Sequence, residues 1–146
     1  MNFPTFNADV AKVLPDYTRH SPFAGLLGIE IVESKPGELV ARIPITDKLG
    51  SGVGAIHGGV LTALVDHSLS LAVYPLVEIG KWVATLEMKM NYLAPVPAGA
   101  TGFIVAETKV LTLKKRIAVA RVDVKHGAEL VATATGTVYV RERIAP

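Results

Sequence analysis

Cysteine is missing from all 146 residues, so disulfides, thiol nucleophiles and cysteine-held metals are excluded, and a reducing, cytoplasmic setting is expected. Charge is scarce too. Only 19% of residues are charged and the formal surplus is +2, too small to imply a nucleic-acid partner. The opening Met1-Asn2-Phe3-Pro4 lacks the basic-then-apolar pattern of a signal peptide. One apolar run, residues 60–77, raises the question of a membrane span. Asp66 and His67 interrupt it and amphipathic strands follow it, so a buried core helix is expected and no membrane partner. Half of the residues are apolar, which argues against disorder and for a substantial core. A single domain over residues 1–146 is expected, with 1–22 as a helical N-terminal extension and no repeat or linker.

The patterning predicts an α+β chain. Residues 7–14 read as a short helix, started by Asn7 and stopped by Pro15. Residues 28–33 and 38–45 read as two strands joined by the turn Lys35-Pro36-Gly37, with Leu39, Ala41, Ile43 and Ile45 on one face. A glycine-rich loop at 50–54 leads into the apolar helix, which Pro75 and Gly80 bound at its far end. Beyond it the period is two. Leu86, Met88, Met90 and Tyr92 fall on one strand face, and Thr85, Glu87, Lys89 and Asn91 on the other. Residues 101–113 form a longer strand that runs into Lys114-Lys115-Arg116. Ala118, Ala120, Val122 and Val124 then alternate with polar residues, His126-Gly127-Ala128 turns the chain, and Leu130, Ala132, Ala134, Val138 and Val140 share a face. Short connections make these last strands antiparallel neighbours, and one apolar helix against such a sheet is a two-layer arrangement.

The chemistry concentrates in the central helix. It opens on His57-Gly58-Gly59, where bare backbone N–H groups could meet a ligand, and carries Asp66 among Leu, Val and Ala. An unpaired charge in such company would be costly, so Asp66 is either a hydrogen-bonded structural group or a group kept for chemistry. A helix N-terminus supplies oriented donors and a positive dipole end, suited to a carbonyl that turns tetrahedral. Gly58 would let a substrate approach that backbone closely. His67 adjoins Asp66 but points about 100° around the helix, which favours a packing or surface role.

The segment Gly54-Ala55-Ile56-His57-Gly58-Gly59, with Asp66 nine residues after His57, resembles the PaaI-type hotdog-fold acyl-CoA thioesterases. The likeness continues through residues 85–95 and 118–140. It implies an antiparallel sheet wrapped around one long helix, hydrolysis of an acyl-CoA to free acid and CoA, and no metal or cofactor. It assigns catalysis to Asp66, as a base on water or as a nucleophile forming an anhydride, with the Gly58 N–H polarising the thioester carbonyl. His57 would orient the loop, bind the thioester or transfer protons. Ser51 stands where many relatives carry asparagine, and its shorter hydroxyl bears on substrate positioning. Gly59, Thr85, Tyr92 and Pro95 match substrate-binding positions, although Thr85 could equally be an ordinary strand residue. Lys114, Lys115 and Arg116 could meet the nucleotide phosphates or form a solvated hairpin tip.

Nine helical residues turn the chain about 900°, half a turn past two full ones, and rise about 13 Å. Counted from His57, Asp66 points away from the face where His57 and Gly58 would act, so two subunits with antiparallel helices would be needed to unite them. The resemblance implies the same: a homodimer with shared sites, as a dimer of dimers. Aromatic and fatty acyl groups fit equally well. A hotdog-fold enoyl-CoA hydratase or dehydratase, using His57 or His67 with Asp66, is the rival enzyme. A non-catalytic acyl-CoA-binding protein is the rival outside catalysis.

Overall fold

Strand follows strand in a six-stranded antiparallel sheet that curls over one helix, as a computed structural model describing Phe3 and residues 5–142 shows. Met1, Asn2 and Pro4 of the opening segment lie outside the described residues. The helices are α1 (Ala8–His20), α2 (Pro22–Leu27) and α3 (Gly58–Val73). The strands are β1 (Glu30–Lys35), β2 (Glu38–Pro44), β3 (Lys81–Tyr92), β4 (Phe103–Lys114), β5 (Ile117–His126) and β6 (Glu129–Glu142), in the spatial order β1-β2-β4-β5-β6-β3. Thus β3, which follows α3 in the chain, returns to the far edge of the sheet.

Helix α3 is apolar on nearly every side because sheet covers most of its circumference. Leu64, Val65 and Leu69 are wholly buried against Leu39, Ile43, Ile104 and Val122 from the strands. By length and composition Gly58–Leu76 could cross a membrane, but most of it is enclosed in this core. The helix ends at Val73 in a 3-10 turn over Tyr74–Leu76, and Gly80 takes a positive φ of 93° in the turn that follows.

Four local expectations change. Asn7 caps α1 as expected, accepting the Asp9 and Val10 N–H groups at 3.0 Å, but Pro15 does not stop the helix. Proline forfeits one backbone hydrogen bond inside a helix. Here that loss is offset by the buried faces of Leu14 and Thr18, which dock α1 on the rest of the fold. The N-terminal helical segment extends to Leu27, and Gly28 is its left-handed cap (φ 71°) rather than the start of a strand. Finally, β3 carries a β-bulge between Thr85 and Glu87 that leaves Leu86 without a cross-strand partner. Thr85 pairs with Val138 and Met88 with Gly136, so Thr85 shares the helix-facing side with Met88, Met90 and Tyr92 instead of opposing them. A second shift, after Val124, puts Val131 rather than Leu130 on the buried face of β6.

Candidate active site

The start of α3 is stitched into place from three directions. The His57 N–H donates to the Leu49 carbonyl at 2.8 Å, and the His57 carbonyl accepts the Val60 N–H at 2.9 Å. The ring Nδ1 accepts the Gly59 N–H at 2.9 Å, so His57 is the N-cap of the helix. An Nδ1 that accepts carries no hydrogen, which leaves the ring hydrogen on Nε2. Gly59 is therefore occupied by the cap. Among the described residues no acceptor takes the Gly58 N–H, which is the open donor at the positive end of the helix dipole.

Gly58 faces a cavity of about 340 Å³ lined by Ala55, Ile56, Leu61, Tyr92, Pro95 and Val96 among others. Its far wall is held by backbone bonds across two loops: Ile56 N–H to Val96 O at 2.8 Å and Ala98 N–H to Gly54 O at 3.0 Å. Three of the residues singled out in the sequence, Gly58, Tyr92 and Pro95, therefore meet. A Cβ at Gly58 would lie 3.2 Å from the Tyr92 ring, a tight approach that a larger residue could take only if the ring gave way slightly. Thr62, which the sequence reading passed over, completes the group. Its hydroxyl bonds the Gly58 carbonyl at 3.1 Å and the Tyr92 hydroxyl at 2.5 Å. Its signal was a hydroxyl one helical turn beyond a glycine.

Asp66 is a correction. Its side chain is exposed, and among the described residues no hydrogen bond or ion pair engages it. Its chain neighbours Val65 and Leu64 are wholly buried, but α3 leaves one arc uncovered, and Gly59, Thr62, Ala63, Asp66 and Ser70 fall on it. The costly burial inferred from the sequence does not occur within one chain.

The angular argument changes as well. The helix begins at Gly58, so Asp66 is eight residues along it, about 80° past two turns and about 12 Å up the axis. The two groups are kept apart by distance along the helix and not by opposite faces.

The remaining candidates scatter. The Ser51 hydroxyl is spent within its own loop, donating to the Ala55 carbonyl at 2.8 Å. Thr85 bonds Ser70 at 3.2 Å, further up α3 than Asp66. Lys115 and Arg116 border a cleft with Leu76 and Val77, beyond the C-terminal end of α3, and share it with Lys81, Glu78 and Glu142. Roughly 22 Å of helix separates that end from Gly58, so the basic turn cannot serve the Gly58 cavity of its own chain. His67 bonds Thr18 of α1 at 3.1 Å, and burial pushes its pKa down against a smaller opposing pull from Asp66. No cluster of three or more potential metal ligands occurs among the described residues.

A sheet folded over a helix whose first N–H stays open is the architecture of a hotdog-fold thioester hydrolase. The thioesterase superfamily model matches residues 53–133, and the chain belongs to that family. Acyl-coenzyme A thioesterase 13 of Homo sapiens is 27% identical over 118 residues, covering 80% of this chain and 82% of its own length. The 1,4-dihydroxy-2-naphthoyl-CoA hydrolase of Listeria monocytogenes is 36% identical over 73 residues, 50% of this chain and 59% of its own. A crystallised thioesterase of Haemophilus influenzae superimposes with a TM-score of 0.82 at 27% identity, covering 90% of each chain.

Proposed function

We propose that this protein hydrolyses acyl-CoA or aryl-acyl-CoA thioesters to free acid and CoA in the cytoplasm, at sites shared between two subunits. The observation that carries the reading is the open Gly58 N–H at the head of a buried helix, beside an apolar cavity of about 340 Å³. A donor there would polarise the thioester carbonyl and stabilise the oxyanion formed on attack. Asp66 would activate water as a base, or attack the carbonyl itself to give an anhydride that water then opens.

The shared site is supported by what one chain leaves open. The uncovered arc of α3 is made of small side chains around Asp66, and β3 is an edge strand exposing Leu86 at 60%. A second copy laid antiparallel against this arc would bring its Asp66 level with Gly58, closing the 12 Å gap. The C-terminal end of its α3 would then lie about 10 Å beyond Gly58, carrying its Lys114, Lys115 and Arg116 toward the nucleotide end of a bound CoA. Charge reversal of that turn should weaken CoA thioesters more than short pantetheine thioesters, and less so at high salt. Equal loss for both would return the turn to a solvated hairpin tip.

The names of the relatives span an aromatic CoA ester and acyl-CoA in general, and both classes belong in the test. Thiol release should be followed across phenylacetyl-, hydroxynaphthoyl-, medium-chain and long-chain acyl-CoA, with enoyl-CoA hydration assayed alongside. Turnover of at least one thioester without hydration supports the reading, and hydration alone replaces it with the hydratase. Tight binding without turnover would make the protein an acyl-CoA-binding module.

A further inference from the structure

We infer that Tyr92, acting with Thr62, is a positioning residue that holds the Gly58 N–H in its working direction. The inference rests on the proposed role of that N–H as the carbonyl-polarising donor. Glycine has no Cβ to restrain its torsions, so the direction of its N–H is set by whatever grips the peptide planes on either side. The plane before Gly58 is gripped by the bond from Val60 N–H to the His57 carbonyl at 2.9 Å. The plane after it is gripped at both ends. Its N–H, that of Gly59, is held by His57 Nδ1 at 2.9 Å. Its oxygen, the Gly58 carbonyl, faces Thr62 Oγ1 at 3.1 Å and the Tyr92 hydroxyl at 3.4 Å.

The two hydroxyls also bond each other at 2.5 Å, and the shortest chain of donors runs from Tyr92 O–H to Thr62 Oγ1 and from Thr62 O–H to the Gly58 carbonyl. Tyr92 comes from β3, so the relay ties the helix start to the sheet. The Tyr92 ring also occupies the space a side chain at position 58 would need. One residue thus crowds a Cβ and supplies the restraint that the missing Cβ would have given.

Tyr92→Phe keeps the ring and removes the hydroxyl, and Thr62→Val keeps the shape of the other member. Each should lower kcat for the best acyl-CoA about tenfold while KM moves less than about twofold, the pattern of an interaction that matters in the transition state. Because both act through one relay, the double variant should be little worse than either single one. An unchanged kcat in Tyr92→Phe, or a rise confined to KM, overturns the assignment.

A second readout needs no substrate. The Gly59 amide should exchange with solvent several-fold faster in Tyr92→Phe than in the parent, and equal exchange also overturns the assignment. If the parent hydrolyses no thioester, the functional reading fails while the exchange measurement still judges the relay.

Discussion

His57 Nδ1 accepts the Gly59 N–H at 2.9 Å, and this one bond divides the two glycines of the motif by role. Gly59 satisfies the cap, while the Gly58 N–H has no acceptor among the described residues. The division makes each glycine and the histidine separately testable.

Gly58 stands at the first position of α3, where proline is tolerated because its missing N–H has no helical acceptor. Gly58→Pro should keep the helix by circular dichroism and cut hydrolysis by about 10²–10³, the usual cost of one oxyanion donor. Gly58→Ala adds the same Cβ against the Tyr92 ring but retains the N–H, so it isolates crowding. If proline and alanine lose activity equally, the N–H is not the polarising group.

The cap predicts a split between stability and rate. Losing an N-cap costs roughly 0.5–2 kcal/mol, so His57→Ala should lower the urea midpoint accordingly. Asparagine caps well, and His57→Asn should regain most of that stability. Activity that returns with asparagine confines His57 to holding the loop. Activity that stays low assigns the exposed Nε2 a direct part in the reaction.

Burial lowers the pKa of His67 from its ordinary 6.5, so the folded protein favours the neutral ring. In the window between the lowered pKa and 6.5, the unfolded chain binds more protons than the folded one, and stability rises with pH. The contribution is fully present above 6.5 and is lost as pH falls toward the folded pKa. Urea midpoints should therefore fall on acidification through this range, and His67→Gln should flatten that part of the profile. An identical slope in the variant would place the titration elsewhere.

Asp66 is exposed and, among the described residues, engaged by no hydrogen bond or ion pair, so Asp66→Asn should leave the isolated fold intact. Its activity should drop by about 10²–10⁴ if the carboxylate is the base. Co-refolding it with Gly58→Pro subunits tests the shared site. In an equal random mixture about half of the dimers are mixed, each with one of two sites intact, so roughly a quarter of parental activity should return. None in verified mixed dimers would put both groups to work from the same chain.

The sequence made the architecture legible because its strands alternate cleanly where the sheet is regular, as at Ala118, Ala120, Val122 and Val124, all buried. It misled where a local rule lost to packing. Pro15 should have ended α1, but Leu14 and Thr18 hold the helix on the core beyond it. Thr85 went to the wrong face because period-two counting has no provision for an extra residue at Leu86. The place of His57, Gly58 and Gly59 at the head of the central helix was readable from the sequence. The exposure of Asp66 was not, since an apolar sequence around a carboxylate does not say which arc of the helix the sheet leaves bare. The relay from Tyr92 through Thr62 was beyond reach for another reason: it joins residues thirty positions apart.

Leu86 gives β3 one residue more than its pairing with β6 requires. Val83, Thr85, Met88 and Met90 keep Val140, Val138, Gly136 and Ala134 as partners whether or not that residue is present. Excising Leu86 would leave every cross-strand neighbour in place and only straighten the ribbon. Side-chain parity on either side is what the pairing fixes, so a relative lacking this residue, aligned without a gap at this point, would have the inner and outer surfaces of half a strand exchanged.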